Sequence, residues 1–157
     1  RAGARFNDPH DATVRVLSQG LLDLGLLDAN QVGSVDDVIA QRAYFPFYMH
    51  RTSHWLGMDV HDCGSYVEPT ELGDVSERKD PLSGETIKNR PSRILQAGMV
   101  LTIEPGIYVR PAPGVPEPFW NIGIRIEDDA IVTANGCELM TRGVPVKADE
   151  IEALMRG

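Results

Sequence analysis

The sequence predicts an α+β fold, mostly antiparallel sheet with helices flanking it. Three observations carry this prediction. Apolar residues recur at three- and four-residue steps near both ends of the chain, as on one face of a helix. Apolar and polar residues alternate in the segments between positions 99 and 133, as in strands. The Asn135-Gly136 pair is a strong signal for a tight hairpin, which joins neighbouring strands in antiparallel fashion.

Two helices are predicted before the strands. In NDPHDATVRVLSQGLLDLG, Asn7 or Asp8 can cap the helix and Gly25 suits its end. Its apolar stripe consists of Val14, Leu17, Leu21 and Leu24. The segment SVDDVIAQR predicts a second, short helix capped by Ser34. The aromatic residues of AYFPFYMH then favour an extended segment, in which Pro46 disfavours a central strand position.

The rest of the chain alternates between irregular and regular patterns. Residues 65–96 are charged and rich in Pro and Gly, which predicts a surface excursion with at most a short ribbon. MVLTIEPGIYV predicts a strand interrupted at Pro105-Gly106, and NIGIRIEDDAIVT predicts another with a turn at Asp128-Asp129. KADEIEALMRG predicts a closing helix. The apolar side of that helix consists of Ile151, Leu154 and Met155.

Composition and charge restrict the classes of function. The 157 residues suffice for one compact domain. The formal net charge of −8 disfavours nucleic acid and anionic membranes as partners. No apolar run is long enough to cross a bilayer, and RAGARFNDPH contains no apolar signal segment. The two cysteines form no CxxC pair, so we expect reduced thiols and a cytoplasmic location.

Two glutamates lie within apolar, strand-like segments. Glu104 directly precedes Pro105, and Glu127 alternates with the three isoleucines of NIGIRIEDD. A carboxylate in such a segment is costly unless it is solvated or compensated. Two interpretations therefore stay open. Either both acids face water, or both point into a shared polar cavity in which a metal ion or Arg125 compensates them.

Three of the four histidines lie within YMHRTSHWLGMDVHD. His50 and His54 are four residues apart, but Gly57 and the preceding aromatics make a helix unfavourable, so this spacing alone predicts no metal pair. A single histidine is more often a structural or surface residue than a ligand. Together with the two glutamates, however, the histidines make a mixed nitrogen and oxygen set suited to Mn²⁺, Co²⁺ or Zn²⁺.

Three segments, HRTSHWLGMDVHD, MVLTIEPGIYV and GIRIEDDAIVT, resemble in this order the C-terminal signatures of one metallopeptidase group. That group is the Xaa-Pro aminopeptidase and prolidase branch of the creatinase-like, pita-bread family. The closing EIEALM is similar to the ending of bacterial Xaa-Pro aminopeptidases. The loop around residues 71–88 is longer than in the compact members. The resemblance implies that residues 1–157 are the C-terminal half of a pita-bread catalytic domain.

The resemblance also implies metal ligands. His54 and Glu104 match ligands, and Glu127 matches the carboxylate that bridges two divalent ions, with Mn²⁺ the expected metal. The implied reaction is hydrolysis of the N-terminal Xaa-Pro bond in peptides with proline at the second position.

The remaining matches imply roles around the reacting bond. Glu104 would also carry the proton to the leaving prolyl nitrogen. His50 and His61 match histidines that stabilise the reacting peptide group, and Arg125 matches an arginine beside the ligands.

In one respect the chain departs from the family pattern. The family has two further aspartate ligands, in DxG and DxTR segments, and no aspartate before His54 lies in such a context. We therefore expect the chain alone to bind divalent metal weakly, to hydrolyse little, and to form homo-oligomers through uncovered strand edges and apolar faces. Two alternatives stay open: a non-catalytic pita-bread module that binds peptides or proteins, and a prolidase that cleaves Xaa-Pro dipeptides.

Overall fold

Helices lie near the two ends of the chain and strands fill the stretch between them. The computed structural model describes residues 1–71 and 75–157. Its helices are α1 (Asp8–Asp23), α2 (Ala29–Val32), α3 (Val35–Gln41) and α4 (Ala148–Arg156). Its strands are β1 (Leu56–Gly57), β2 (Val60–His61), β3 (Ser76–Lys79), β4 (Thr86–Asn89), β5 (Val100–Ile103), β6 (Gly106–Val109), β7 (Ile122–Arg125), β8 (Asp128–Val132) and β9 (Cys137–Leu139). The α+β prediction is confirmed.

All strand pairs within the described ranges are antiparallel. β8 lies between β5 and β9, while β6 pairs with β7, β1 with β2 and β3 with β4. The segment of Asn135 and Gly136 joins β8 to β9, as the turn signal predicts. The predicted break at Pro105 separates β5 from β6, so one continuous stretch of sequence contributes to two sheets.

The predicted turn at Asp128 and Asp129 is wrong, because both residues belong to β8 and pair with β5. The chain bends instead at Ile126 and Glu127, between β7 and β8. β7 pairs with β6 and β8 pairs with β5, so the bend must fall opposite the break at Pro105. The Ile126 amide donates a hydrogen bond to the Pro105 carbonyl there (3.1 Å).

The aromatic segment at residues 43–47 forms successive turns, and the prediction of an extended segment is wrong. α3 ends where Arg42 adopts a left-handed conformation with φ of 56°. The amides of Phe45 and Tyr48 then donate to the carbonyls of Arg42 and Tyr44. These turns bury Tyr44, Phe47 and Tyr48, and burial of such large rings outweighs the weak strand preference of aromatic residues.

Two apolar clusters form the core. The first packs α1 and α3 against the aromatic turns and β6; its buried members are Val14, Leu21, Leu26, Val38, Tyr44, Phe47, Tyr48 and Val109. The second lies beneath β5 and β8; its buried members are Phe6, Trp55, Leu95, Leu101 and Val132. α1 begins after Asn7 as predicted, but the Asn7 side chain makes no capping hydrogen bond. Leu24 lies beyond the helix and is exposed. The apolar side of α4 is also exposed.

α3 begins with the predicted cap. The Ser34 hydroxyl accepts from the Asp37 amide while the Asp37 carboxylate accepts from the Ser34 amide. We expect Ser34→Ala to lower the free energy of unfolding by about 1 kcal/mol, because it leaves an amide of the first turn without a partner. Urea denaturation measures this. Ser76→Ala on the exposed strand β3 is the control, and equal losses in both variants would contradict a capping role.

Residues 65–96 form the predicted surface excursion, with β3 and β4 as its short ribbon; the prediction for residues 72–74 lies outside the described ranges. The strands of the ribbon are almost fully exposed. A two-stranded hairpin is only marginally stable by itself. Its tip is held by an ion pair between Arg42 and Asp80 with an N–O distance of 2.7 Å, and both side chains are largely buried.

This ion pair predicts a pH effect. The Arg42 guanidinium and the Leu82 amide donate to Asp80 and hold the pKa of its carboxyl below the ordinary value. Asp80 therefore contributes stability above the unfolded-state pKa of about 4, and the contribution is lost as pH falls through the lower folded-state pKa. We expect Asp80→Asn to flatten the stability profile between about pH 5 and pH 2. Arg42→Met should flatten it similarly, and profiles parallel to wild type would refute the assignment.

Within the described ranges, no helix is long and apolar enough to span a membrane.

Candidate functional site

Backbone pairing brings the predicted site residues of two distant segments together. The Thr102 amide donates to the His54 carbonyl (3.0 Å), and the Glu104 amide donates to the Thr52 carbonyl (2.7 Å). Trp55 forms a bridge with Leu101 in the same register. The segment around His54 thus continues the sheet beside β5. This places two side chains that are 50 positions apart in the sequence next to each other.

His54 and Glu104 form a buried pair. His54 Nε2 lies 3.1 Å from Glu104 Oε1, and each residue exposes less than a tenth of its surface. His54 Nδ1 contacts the Trp55 carbonyl (2.9 Å), which can only accept, so Nδ1 carries the proton. Nε2 then faces the Glu104 carboxylate, and without a proton of its own it would be a second acceptor there. Two acceptors at this distance require a proton or a metal ion between them, and the histidine tautomer is the one found in metal ligands.

This donor pair fits a borderline divalent ion, but the described residues supply only part of a cage. They contain no group of three or more His, Cys, Asp or Glu side chains that could hold a metal ion. The predicted set of His54, Glu104 and Glu127 is thus brought together only in its first two members. Glu127 is exposed in the bend between β7 and β8. Neither interpretation of the two glutamates holds for both: Glu104 points into a polar cavity, whereas Glu127 faces water.

Arg125 compensates Glu104 from the other side. Its Nη1 atom lies 3.3 Å from Glu104 Oε2, and the Thr102 hydroxyl donates to Glu104 Oε1 (2.9 Å). The pKa of Arg125 is raised, first by its hydrogen bond to the Tyr108 hydroxyl and further by the charges of Glu104 and Glu127. Burial of Glu104 is therefore offset by a guanidinium and a hydroxyl, which fix the orientation of its carboxylate.

Tyr108 links Arg125 to His50. Arg125 Nε donates to the Tyr108 oxygen (2.8 Å), and that hydroxyl lies 2.9 Å from His50 Nε2. His50 Nδ1 contacts the Arg51 carbonyl (2.7 Å), which can only accept, so both ring nitrogens of His50 are engaged by protein groups. Tyr108 was not among the predicted site residues. In the sheet it pairs with Gly123, two residues from Arg125, so the register of β6 and β7 explains its contact with Arg125 but not that with His50.

The histidines at positions 50, 54 and 61 share one cavity but not one environment. The His61 ring is stacked on the His54 ring at a centroid distance of 4.0 Å, and His61 is exposed. The cavity has a volume of about 600 Å³. Of the predicted site residues it is lined by His50, His54, His61, Glu104 and Arg125. The opposite wall is formed by β4 of the ribbon, including Ile87 and Lys88.

His10, the fourth histidine, supports the site from behind and was also missed. Its Nδ1 atom lies 3.1 Å from the Thr52 hydroxyl, which also contacts the Tyr48 hydroxyl. Thr52 and Tyr48 are fully buried. Burial, followed by the charges of Arg51 and His50, lowers the pKa of His10 to about 4. A neutral His10 therefore braces the residue whose carbonyl accepts from the Glu104 amide.

Comparison with known proteins agrees with this geometry. Residues 1–134 match the family model described as Metallopeptidase family M24. The Xaa-Pro aminopeptidase of Escherichia coli (strain K12) is 44% identical over 155 residues, which are 99% of this chain and 30% of that protein. The structure of Pseudomonas aeruginosa aminopeptidase PepP superposes with a TM-score of 0.78 at 47% identity, again over 99% of this chain and 30% of the other. The structure of zinc-substituted E. coli aminopeptidase P in complex with product superposes with a TM-score of 0.77 at 44% identity, over 99% of this chain and 30% of the other.

The chain belongs to metallopeptidase family M24. It spans about 30% of the length of the relatives named above.

Proposed function

We propose that this chain contributes the His54–Glu104 part of a metal-dependent active site that hydrolyses the N-terminal Xaa-Pro bond of peptides. In this proposal residues 1–157 are the C-terminal part of the catalytic domain. The observation that carries it is the buried pair of His54 Nε2 and Glu104 Oε1, 3.1 Å apart, within a cavity of peptide-binding size. Relatives named Xaa-Pro aminopeptidases support this over the dipeptidase and non-catalytic alternatives.

The proposed ligands in this chain are His54, Glu104 and Glu127, with Mn²⁺ as the proposed metal. A bound divalent ion would polarise the scissile carbonyl and lower the pKa of an attacking water. His54 is preorganised for this, because the Trp55 carbonyl fixes its tautomer. Glu127 lies in the short bend between β7 and β8, and its carboxylate would join the other two ligands only after this bend is rearranged.

The proton chemistry falls to Glu104. Its carboxylate can accept a proton from the attacking water and deliver it to the leaving prolyl nitrogen. Arg125 and Thr102 hold that carboxylate in place through contacts of 3.3 and 2.9 Å. His50 and His61 line the same cavity, and we propose that they hydrogen-bond the carbonyl oxygen on which charge develops. For His50 this requires release of the contact between its Nε2 atom and the Tyr108 hydroxyl.

The test is hydrolysis of Ala-Pro-Ala by the protein expressed from its complete reading frame, with Mn²⁺, Co²⁺ or Zn²⁺ added in turn. We expect release of free alanine that depends on metal and is lost in His54→Ala. Glu138→Gln, on the exposed edge of β9, is the matched control and should retain activity. Metal-independent hydrolysis, or full activity in His54→Ala, would refute the proposal.

The 157-residue chain by itself should bind Mn²⁺ weakly and cleave little, because it contains no counterpart of the family's two aspartate segments. Isothermal titration with Mn²⁺ and a peptide cleavage assay measure this. Sub-micromolar affinity together with robust Xaa-Pro cleavage would overturn the expectation.

We further propose that the chain self-associates and acts in the cytoplasm. Support for self-association comes from exposed apolar side chains on two elements, β7 with its following bend and α4. They are Ile122, Ile124, Ile126, Ile151, Leu154 and Met155. A concentration-independent monomer in sedimentation would refute it. Within the described ranges Cys63 and Cys137 are free and exposed, which supports a reducing compartment.

A further inference from the structure

A second, smaller cavity lies next to the larger one at the ribbon strand β4. Its volume is about 320 Å³. It shares His50, Arg51, Ile87 and Asn89 with the larger cavity, so the two spaces adjoin. The ion pair between Arg42 and Asp80 fixes the ribbon tip beside it, and β4 borders both spaces, so a single extended ligand can lie along them.

The lining of this smaller cavity is cationic, although the chain as a whole carries a net charge of −8. Three arginines contribute to it, together with two histidines, and no Asp or Glu does. Its charged and titratable lining residues other than tyrosines are His10, Arg42, His50, Arg51 and Arg78. A positive cavity in an acidic protein concentrates anions by electrostatic focusing.

Two of these arginines have no ion-pair partner among the described residues. Arg42 is neutralised by Asp80, whereas Arg51 and Arg78 make no salt bridge within residues 1–71 and 75–157. Arg51 acts on Asp11 only through its charge, without a salt bridge between them. The unsatisfied charge also acts on His10, whose pKa is lowered in part by Arg51. The positive charge in the cavity thus disfavours protonation of His10, which also lines it.

We propose that the smaller cavity is a carboxylate subsite, in which Arg51 and Arg78 bind a carboxylate of the substrate peptide. The inference rests on the proposed function, because the scissile bond must lie beside Glu104 in the larger cavity. From there the peptide passes His50 and β4, which line both cavities, and enters the smaller one. The carboxylate is either the C-terminus of a short peptide or an acidic side chain, and both sources have the chemistry that a guanidinium fork recognises.

The test compares peptides that differ only in charge, using the protein expressed from its complete reading frame. Ala-Pro-(Ala)n acids with n from one to four are paired with their amides, and a parallel series carries one glutamate in an amidated peptide. We expect kcat/KM to favour the carboxylate by about tenfold or more at one length, through KM, because one charge-assisted hydrogen-bond pair is at stake. A preference within the acid series would show that the bound carboxylate is the C-terminus. A preference within the glutamate series would show that it is an acidic side chain.

Variants assign the effect to the two arginines. Arg51→Gln and Arg78→Gln should each remove the preference for the carboxylate while leaving cleavage of the amides unchanged. Arg15→Gln removes an exposed arginine of α1 that lines neither cavity, and it should retain the preference. Both subsite arginines are exposed, so neither substitution is expected to unfold the protein.

A second readout does not require turnover. Succinate is titrated into the same protein while the His10 ring is observed by NMR. We expect the pKa of His10 to rise from about 4, because a bound dicarboxylate offsets the charge of Arg51. The rise should be absent in Arg78→Gln.

Each outcome decides the proposal. Absence of any peptide cleavage refutes the proposed function and the peptide subsite with it. Cleavage with equal rates for acids and amides refutes the subsite alone. A preference that persists in both arginine variants places carboxylate recognition elsewhere and also refutes it, as does a His10 pKa that is unaffected by succinate.

Discussion

Replacing Glu104 with glutamine is expected to lower kcat of Xaa-Pro hydrolysis by about 10²- to 10⁴-fold, the range typical for loss of a general acid or base. Glutamine keeps the shape of the side chain and can still accept from the Thr102 hydroxyl. It cannot take up a proton from water or balance the charge of Arg125. It also replaces an anionic ligand opposite His54 Nε2 with a neutral amide.

Peptide cleavage by the protein from its complete reading frame, with the bound metal counted by elemental analysis, measures this effect. The metal count separates loss of the ion from loss of proton transfer. Glu138→Gln is the matched control, because it removes an exposed carboxylate from β9 without touching the cavity. Wild-type kcat in Glu104→Gln would exclude Glu104 as the acid or base.

Replacing Trp55 with alanine is expected to lower the free energy of unfolding by about 3–5 kcal/mol, the usual cost of truncating a buried tryptophan. Trp55 is 9% exposed and belongs to the second core cluster. Its ring lies 4.6 Å from the Phe6 ring and is stacked on Tyr66 at 5.9 Å. Gly64 fits directly against it, where an added Cβ would lie 2.5 Å from the indole.

Urea denaturation of the 157-residue chain measures this loss. Trp120→Ala is the matched control, because that tryptophan is 37% exposed and lies outside both core clusters. We expect its loss to be much smaller. Similar losses in the two variants would show that the cluster around Trp55 contributes little to folding. His54 directly precedes Trp55 in the same segment. Metal affinity should therefore fall together with stability in Trp55→Ala but not in Trp120→Ala.

The elements that follow from local chemistry were predictable. The cap at Ser34, the positive φ of Gly25 at the end of the α1 segment, the break at Pro105 and the hairpin at Asn135 each depend on residues that are close in sequence. The chain segments that would carry the site were identified by a different route, because His54 and Glu104 lie in motifs that resemble a known family. Local sequence specifies turns and caps because their hydrogen bonds are made within a few residues.

Elements that depend on distant partners were not predictable. Residues 43–47 have the composition of a strand and became turns, because Tyr44 and Phe47 are buried against α1 and α3. The contact of Tyr108 with His50 joins residues that are 58 positions apart, and that of His10 with Thr52 joins residues 42 apart. No local pattern records such pairs.

By itself the sequence determined the fold class, the order of helices and strands, and the residue types available for metal chemistry. Only the tertiary structure decided which of them meet. It placed His54 beside Glu104 and fixed the histidine tautomer through the Trp55 carbonyl, while Glu127 remained exposed in a bend. The reason is physical. Side-chain identity sets what a group can bind, but the register between distant segments sets the distances on which binding depends.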